Sequence, residues 1–510
     1  MQENKNNKLN YYLIIFSTII LSFSINFVSF YELMPDDAFY YLSIAQNYNE
    51  YGEFTFDSGI TVTNGFHILW MYFLILCDEI INNEKILYLI IYFQIFASLL
   101  SLIIIINLKK FFQISTLGLL IFLTSFTFIN NVISGTEWSI TLLIHCLIYF
   151  FLQNINNKKI FFLFLLGLIG NLSRSDFGAT SLLLFLSSLV LFYINNDKKY
   201  IFPTLSIFIG SCFGLMIFIL HHYGIDQNHI QGSASIKKLW TDATGASPIP
   251  ILFQILRIFI YLPRLSELFD YNLYFLKFDY LEYLNIVFFT FFIILLYLIR
   301  KTISKVIKHI FLENNDKLFL FIASFLILIF YIIFYSFNSQ ATQHWYSVHF
   351  IIPVLFIFTQ IYNIFIKKYF KLALISTFIV VSFNSFYLVK TFPTYYQNEH
   401  SVKFGNFLKQ NYNLNLVALP DNGLVNYIAG NKIINIDGIA NNDLLNYKPE
   451  NFHCFLLDYN IEYFTFFGGN NHKFFELKDL NTYSKIIENN YDLRKINFDS
   501  LNNLKECSTT

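Results

Sequence analysis

Two adjacent carboxylates, Asp36 and Asp37, stand directly after a long apolar run. A carboxylate in that place can take a proton from an attacking hydroxyl, which is general-base chemistry. An Asp at the centre of hydrocarbon costs roughly 3 kcal/mol, so the pair belongs at a membrane interface. Phe39, Leu42 and Ala45 follow with helical spacing, so the pair heads a helix, where one Asp can also act as N-cap. Further on, Asn64-Gly65 makes a turn before His67 and Trp70, which open a second apolar stretch; Trp70 fits an interfacial anchor. Glu137 ends Ser134-Gly135-Thr136-Glu137, a place for a helix cap or a site acid. Arg174 and Asp176 face each other across the short Ser173-Arg174-Ser175-Asp176 turn, as in a local ion pair. Lys237 and Lys238 form an adjacent basic pair, the charge type that holds a phosphate. Gln343-His344-Trp345-Tyr346 presents rings that stack on a sugar or anchor at an interface.

The composition says what must position these residues. Of 510 residues, 55% are hydrophobic and 13% charged, and the mean hydropathy is +0.50. Soluble domains carry about 25% charged residues, so the solvent here is the bilayer. The net charge of +0 gives no support for a nucleic-acid partner. Cys77, Cys146 and Cys212 fall in apolar runs and read as small buried hydrophobes, while Cys454 and Cys507 share the tail and are free to pair. The apolar run after Lys5 and Lys8 is too long for a signal-peptide core and reads as a retained anchor.

Apolar runs of spanning or near-spanning length lie at 11–30, 86–108, 115–131, 138–152, 160–172, 177–194, 201–222, 282–299, 317–335, 346–366 and 371–390. Residues 67–81 form one more, shorter run. Lys and Arg collect on the cytoplasmic side of short loops. If 67–81 lies in the interface, every basic cluster falls on one side: Lys5/Lys8, Lys109/Lys110, Lys158/Lys159, Lys198/Lys199, Arg300/Lys301/Lys305/Lys308 and Lys367/Lys368/Lys371. If it crosses, the later clusters flip. The expected fold is therefore an all-α polytopic membrane protein of roughly eleven spans over residues 1–390. Its external loops are 31–85 and 223–281. Residues 391–510 form a small extracytoplasmic α/β domain. A helix near 400–411 precedes strand-like runs at Leu416–Leu419, Ile433–Ile436 and Tyr463–Phe467, with turns at Asp421-Asn422-Gly423 and Asp437-Gly438. This topology gathers 31–66, 134–137, 173–176, 223–281, 337–345 and the tail on the outer face. No internal repeat marks an inverted-repeat transporter.

The stretch Asp36-Asp37-Ala38-Phe39-Tyr40-Tyr41-Leu42-Ser43-Ile44-Ala45-Gln46-Asn47 resembles the acidic first-loop motif of the GT-C superfamily of membrane glycosyltransferases. Gly65 to Trp70, Ser134 to Glu137, Ser173 to Asp176 and residues 232–238 are similar to later elements of that superfamily, in order. The stretch 420–442 is similar to the tail of a branch related to arabinofuranosyltransferases and protein O-mannosyltransferases. The resemblance implies inverting transfer of a sugar from a polyprenyl-phosphate donor to a hydroxyl of a glycan, lipid or protein, on the extracytoplasmic side of a bacterial cell membrane. It implies Asp36 or Asp37 as base, and Lys237 and Arg174 as donor-phosphate ligands. His344, Trp345 and Tyr346 would shape the donor pocket, and Asn64, His67, Glu137 and Asp176 would support the acceptor side. Some members bind a divalent metal ion through the first-loop acids, so metal dependence is open. Two other functions fit the same sequence features: a flippase for a lipid-linked glycan, and a non-catalytic assembly protein that binds glycan through its tail.

Overall fold

The computed structural model describes residues 2–81, 85–155, 159–228, 230–244, 249–259, 314–338, 343–391, 397–412, 416–420, 422–430, 433–447, 452–465 and 484–502. The expected span 282–299, the cluster Arg300/Lys301/Lys305/Lys308, Lys158, Asp421 and Cys507 lie outside them. The chain is mostly helical, with a five-stranded sheet near its C-terminus. The first half forms α1 (Gln2–Ile25), α2 (Phe30–Leu33), α3 (Asp36–Tyr51), α4 (Ile68–Ile80), α5 (Lys85–Ile106), α6 (Thr116–Leu123), α7 (Phe126–Val132), α8 (Trp138–Gln153), α9 (Ile160–Ser173), α10 (Phe177–Asn195) and α11 (Ile201–Ile225). Then come α12 (Gly232–Thr244), α13 (Ile249–Leu256), α14 (Asn315–Asn338), α15 (Ile351–Lys368), α16 (Phe370–Thr391) and α17 (Gln397–Asn411).

Among the described residues, 6 helices are long and apolar enough to cross a membrane: α1, α5, α10, α11, α14 and α15. The bundle wears its apolar residues outside. Tyr12, Phe16, Ile19 and Phe23 on α1 and Phe202, Phe213 and Leu220 on α11 are exposed, an apolar surface suited to lipid. Inside, small residues let backbones touch, as in membrane helix pairs. A Cβ on Gly167 of α9 would meet the Ile207 carbonyl at 2.1 Å, and one on Gly210 of α11 the Phe164 carbonyl at 2.0 Å. This α9–α11 seam fixes the end of α9, where Arg174 stands.

Four local expectations change. The run 115–131 is not one helix: it breaks between α6 and α7, because the Ser125 side chain accepts from the Phe128 N–H and starts a new helix. The run 346–366 starts as a 3-10 turn, His344–His349, before α15. Cys77 and Cys146 are buried, but Cys212 is exposed on the outer face of α11. The run 67–81 forms α4, with Tyr72, Leu76 and Ile80 outward at helical spacing and Trp70, Met71, Leu74 and Ile75 inward. At about 1.5 Å per residue it is too short to cross hydrocarbon upright. Trp70 is fully buried and donates its indole N–H to the Gly135 carbonyl (3.2 Å), so it is a strut of the bundle, not a surface anchor.

The tail runs β1 (Val417–Leu419), α18 (Gly423–Ala429), β2 (Ile433–Asn435), α19 (Phe452–Asp458), β3 (Tyr463–Phe464), β4 (Ser484–Glu488), β5 (Leu493–Ile496) and α20 (Phe498–Asn502). The sheet order is β2-β1-β3-β5-β4. β1 pairs in parallel with β2 and β3, with Val417 opposite Ile433 and Tyr463, and β5 pairs antiparallel with β3 and β4. Ala418, Ile434, Phe455 and Phe464 fill its core. Loops at the carboxyl ends of parallel strands are where open α/β sheets meet other groups. Here the loops after β1 and β2 meet the helical bundle.

Candidate functional site

A cavity of about 230 Å³ lies at one end of the bundle. It is walled by the starts of α3, α8 and α10, the ends of α9 and α14, the 3-10 turn, α12 and the loop after β2. Asp37, His67, Glu137, Arg174, Asp176, Lys237, Trp345 and Tyr346 all line it. Residues up to 403 positions apart in the chain, Asp37 and Ala440, thus meet in one place. The basic pairs Lys109/Lys110 and Lys198/Lys199 lie at the opposite ends of the same helices, where Lys110 donates to the Gln153 carbonyl and Lys199 pairs with Asp316.

Each wall has a local cause. Pro35 sets extended backbone before α3 (ψ 162°), and the first turn of that helix takes Asp36 and Asp37, where the helix dipole favours acids. Gly135 turns the chain ahead of Glu137 with a positive φ of 69°. Gln94 pins that turn at both faces: its side-chain oxygen accepts from the Gly135 N–H (2.8 Å), and its amide donates to the Thr136 carbonyl (2.6 Å). Glu137 occupies the N-cap place of α8, yet its side chain makes no cap bond and turns to Arg174 instead.

Arg174 is the floor of the site. It donates Nε–H and Nη2–H to the two oxygens of Asp176 (3.0 and 2.9 Å) and Nη1–H to Glu137 (2.5 Å), a fork geometry only arginine supplies. Asp176 also accepts from Tyr335 (2.6 Å) and meets His349 Nε2 at 2.8 Å. Burial alone would raise the Asp176 carboxyl; Arg174 and His349 outweigh it and hold it well below the usual range. Burial likewise opposes the charge on Arg174, but the two acids keep it protonated. An arginine so matched to two carboxylates is a structural cation. Arg174 lines the cavity beside Lys237 and Lys238, with its hydrogen bonds directed to Glu137 and Asp176.

Lys237 and Lys238 rise from α12 into the cavity. Lys237 donates to the Tyr346 hydroxyl (3.0 Å). Burial disfavours its ammonium, but the Tyr346 hydroxyl and the Asp37 charge more than compensate, so it stays charged. The Tyr346 ring lies 5.6 Å from that ammonium and 5.1 Å from the Arg174 guanidinium, within cation–π range of both. His67 sits 3.7 Å from Glu137. Burial lowers its pKa to about 4, so it is a neutral imidazole at pH 7.

Three expected site residues lie elsewhere. Asp36 does not line the cavity: its two oxygens accept the backbone N–H groups of Gly423 and Leu424, both at 2.8 Å. Asn64 is buried in a joint, accepting from the Gly232 N–H and the Asn442 amide (2.8 Å each). His344 packs its ring edge-on to Phe126 (5.4 Å between centres), and its carbonyl accepts from Asn131. Tyr40, Tyr41, Gln231, Ser233, Tyr335 and Asn338 line the cavity without having been singled out. Tyr40 and Tyr41 sit in the acidic motif itself, so proximity to Asp36 and Asp37 was their signal. Among the described residues no group of three His, Cys, Asp or Glu side chains is placed to hold a metal ion. No protein-family profile and no curated protein matches the chain.

Proposed function

We propose that this cavity transfers a sugar from a polyprenyl-phosphate donor to an acceptor hydroxyl, on the extracytoplasmic side of the membrane. The observation that carries the reading is the meeting of the Asp37 carboxylate with two ammonium groups, Lys237 and Lys238, beside the Glu137–Arg174–Asp176 cluster, in a ring-lined cavity at the end of an apolar bundle. In this mechanism the Asp37 carboxylate takes the proton of the acceptor hydroxyl as its oxygen attacks the anomeric carbon. The carbon–oxygen bond to phosphate breaks on the opposite face, so the configuration inverts and the electron pair leaves on the lipid phosphate. Lys237 and Lys238 neutralise that developing charge, so the step draws its main stabilisation from cations already positioned at the site. Trp345, Tyr346 and Tyr41 offer faces for the sugar ring. Glu137, Arg174 and Asp176 hold the walls in register, and neutral His67 is an uncharged hydrogen-bonding group beside them.

Sidedness draws support from the tail. Cys454 is disulfide-bonded, a state that persists in oxidising compartments. The test is a reconstituted assay: purified protein in liposomes with a labelled polyprenyl-phosphate sugar and candidate acceptors. Transferase action releases free polyprenyl phosphate and a new glycoside. Movement of intact lipid-sugar across the bilayer without cleavage would replace this reading with lipid transport.

A further inference from the structure

We propose that Asp36 is a positioning residue, which clamps the C-terminal domain onto the first turn of α3 and so fixes the place of Asp37. The proposal rests on the reading of Asp37 as the base, but its physical core, the clamp, is independent of chemistry. The carboxylate of Asp36 accepts the N–H groups of Gly423 and Leu424, the first residues of α18. That helix lacks a cap of its own, because the Asn422 side chain makes no cap bond. Asp36 therefore supplies the missing cap from 387 residues away, where a negative charge also suits the helix dipole.

The contact is close and reinforced. A Cβ on Gly423 would meet the Asp36 carbonyl at 2.3 Å and the Tyr40 nitrogen at 3.0 Å, so only glycine lets the two helix starts approach. Tyr40 lies one turn after Asp36 on the same face. Its hydroxyl accepts from the Asn422 N–H and the Asn435 amide (3.0 Å each). It also stands within reach of Asn422 Oδ1 (3.1 Å) and Asp437 Oδ2 (3.2 Å). Asp37 and Tyr41 form the neighbouring stripe of α3 and face the cavity. Successive helical residues are rotated by about 100°, so fastening the 36/40 stripe to the tail aims the 37/41 stripe at the site. The same domain then closes the cavity with Ile439 and Ala440. The C-terminal domain is thus part of the site's frame.

The test uses full-length protein in micelles with Asp36→Ala, Asp36→Asn, Gly423→Ala and the double variant Asp36→Ala/Gly423→Ala. Two readouts are taken: transfer kinetics over pH, and amide hydrogen exchange at residues 423–426. Gly423→Ala wedges the clamp from the tail side and leaves the Asp36 carboxyl chemically intact. A clamp predicts that Asp36→Ala and Gly423→Ala each lower kcat about 10- to 100-fold, with the donor KM within about threefold, and leave the pH profile in place. It also predicts faster exchange at 423–426 in both, a double variant little worse than either single one, and a milder Asp36→Asn, which keeps one acceptor oxygen. Loss of transfer in Asp36→Ala with wild-type rates in Gly423→Ala would overturn the proposal and make Asp36 the base. If Gly423→Ala does not fold, Tyr40→Phe and Asp36→Asn take its place. If the wild type transfers no sugar, the exchange readout still decides: unchanged exchange at 423–426 in Asp36→Ala overturns the clamp.

Discussion

Replacing Arg174 by Met tests whether that residue is a structural cation or a ligand for substrate. Arg174 is 2% exposed and makes three charge-assisted hydrogen bonds, two to Asp176 and one to Glu137. Each such bond is worth about 1.5–3 kcal/mol, so the gross loss is about 4.5–9 kcal/mol. Part of it returns, because the freed acids can take up a proton and Asp176 keeps Tyr335 and His349. The net expectation is about 3–5 kcal/mol, the usual cost of leaving a buried charge unpaired. The Met also leaves an excess of buried negative charge, so the second change Glu137→Gln should recover about 1–2 kcal/mol instead of adding a further loss. Arg174→Lys keeps the charge but not the fork, and should fall between wild type and Met. Denaturant unfolding in mixed micelles, followed by Trp fluorescence, reads all five proteins: wild type, Arg174→Met, Arg174→Lys, Glu137→Gln and the double variant. A cost below about 1 kcal/mol for Arg174→Met, or additive losses in Arg174→Met/Glu137→Gln, would refute the reasoning. A full-stability Arg174→Lys with a raised donor KM would return Arg174 to the phosphate.

Removing the Lys237 ammonium with Lys237→Met should lower kcat/KM by about 10²–10³-fold, the scale of one lost oxyanion donor, while Lys237→Arg keeps part of the activity; unchanged steady-state kinetics would exclude the lysine from phosphate binding. Burial lowers His67 from 6.5 to about 4. The unfolded chain therefore binds the extra proton between those values, and stability from this group is complete above 6.5 and lost as pH falls toward 4. The scale is about 3 kcal/mol, so His67→Gln should flatten the stability profile in that window, and equal slopes for both proteins would contradict the shift. Cys454 should remain disulfide-bonded in cells lysed directly into an alkylating agent, as read by mass spectrometry of a non-reduced digest; a free thiol there would argue for a cytosolic tail.

Much of the frame was legible because it follows from periodicity and charge, which are local. The apolar runs gave α5, α8, α9, α10, α11 and α14 close to their observed limits, and the alternation of basic pairs brought the polar stretches to one end. The helix at the start of the tail and three strand-like runs were visible from turn residues and apolar runs; that these strands pair in parallel was not. β4 and β5 were not, since Ser484–Glu488 and Leu493–Ile496 are half-exposed and lack a clean alternation. The break at Ser125 was hidden inside an unbroken apolar run, where only a side-chain cap marks it. The different fates of Asp36 and Asp37 were beyond local reading. Two neighbouring acids have the same propensity, and what separates them is a partner 387 positions away. Asn64 reads as a turn residue, and its bond to Gly232 across 168 positions is equally long-range.

The most direct measurement of the central claim is single-turnover cleavage of a labelled polyprenyl-phosphate sugar by wild type and Asp37→Asn, each shown to insert and fold. Loss of the base should slow release of polyprenyl phosphate by about 10²–10⁴-fold while donor binding stays near normal. An Asp37→Asn protein that cleaves the donor at the wild-type rate would contradict the account.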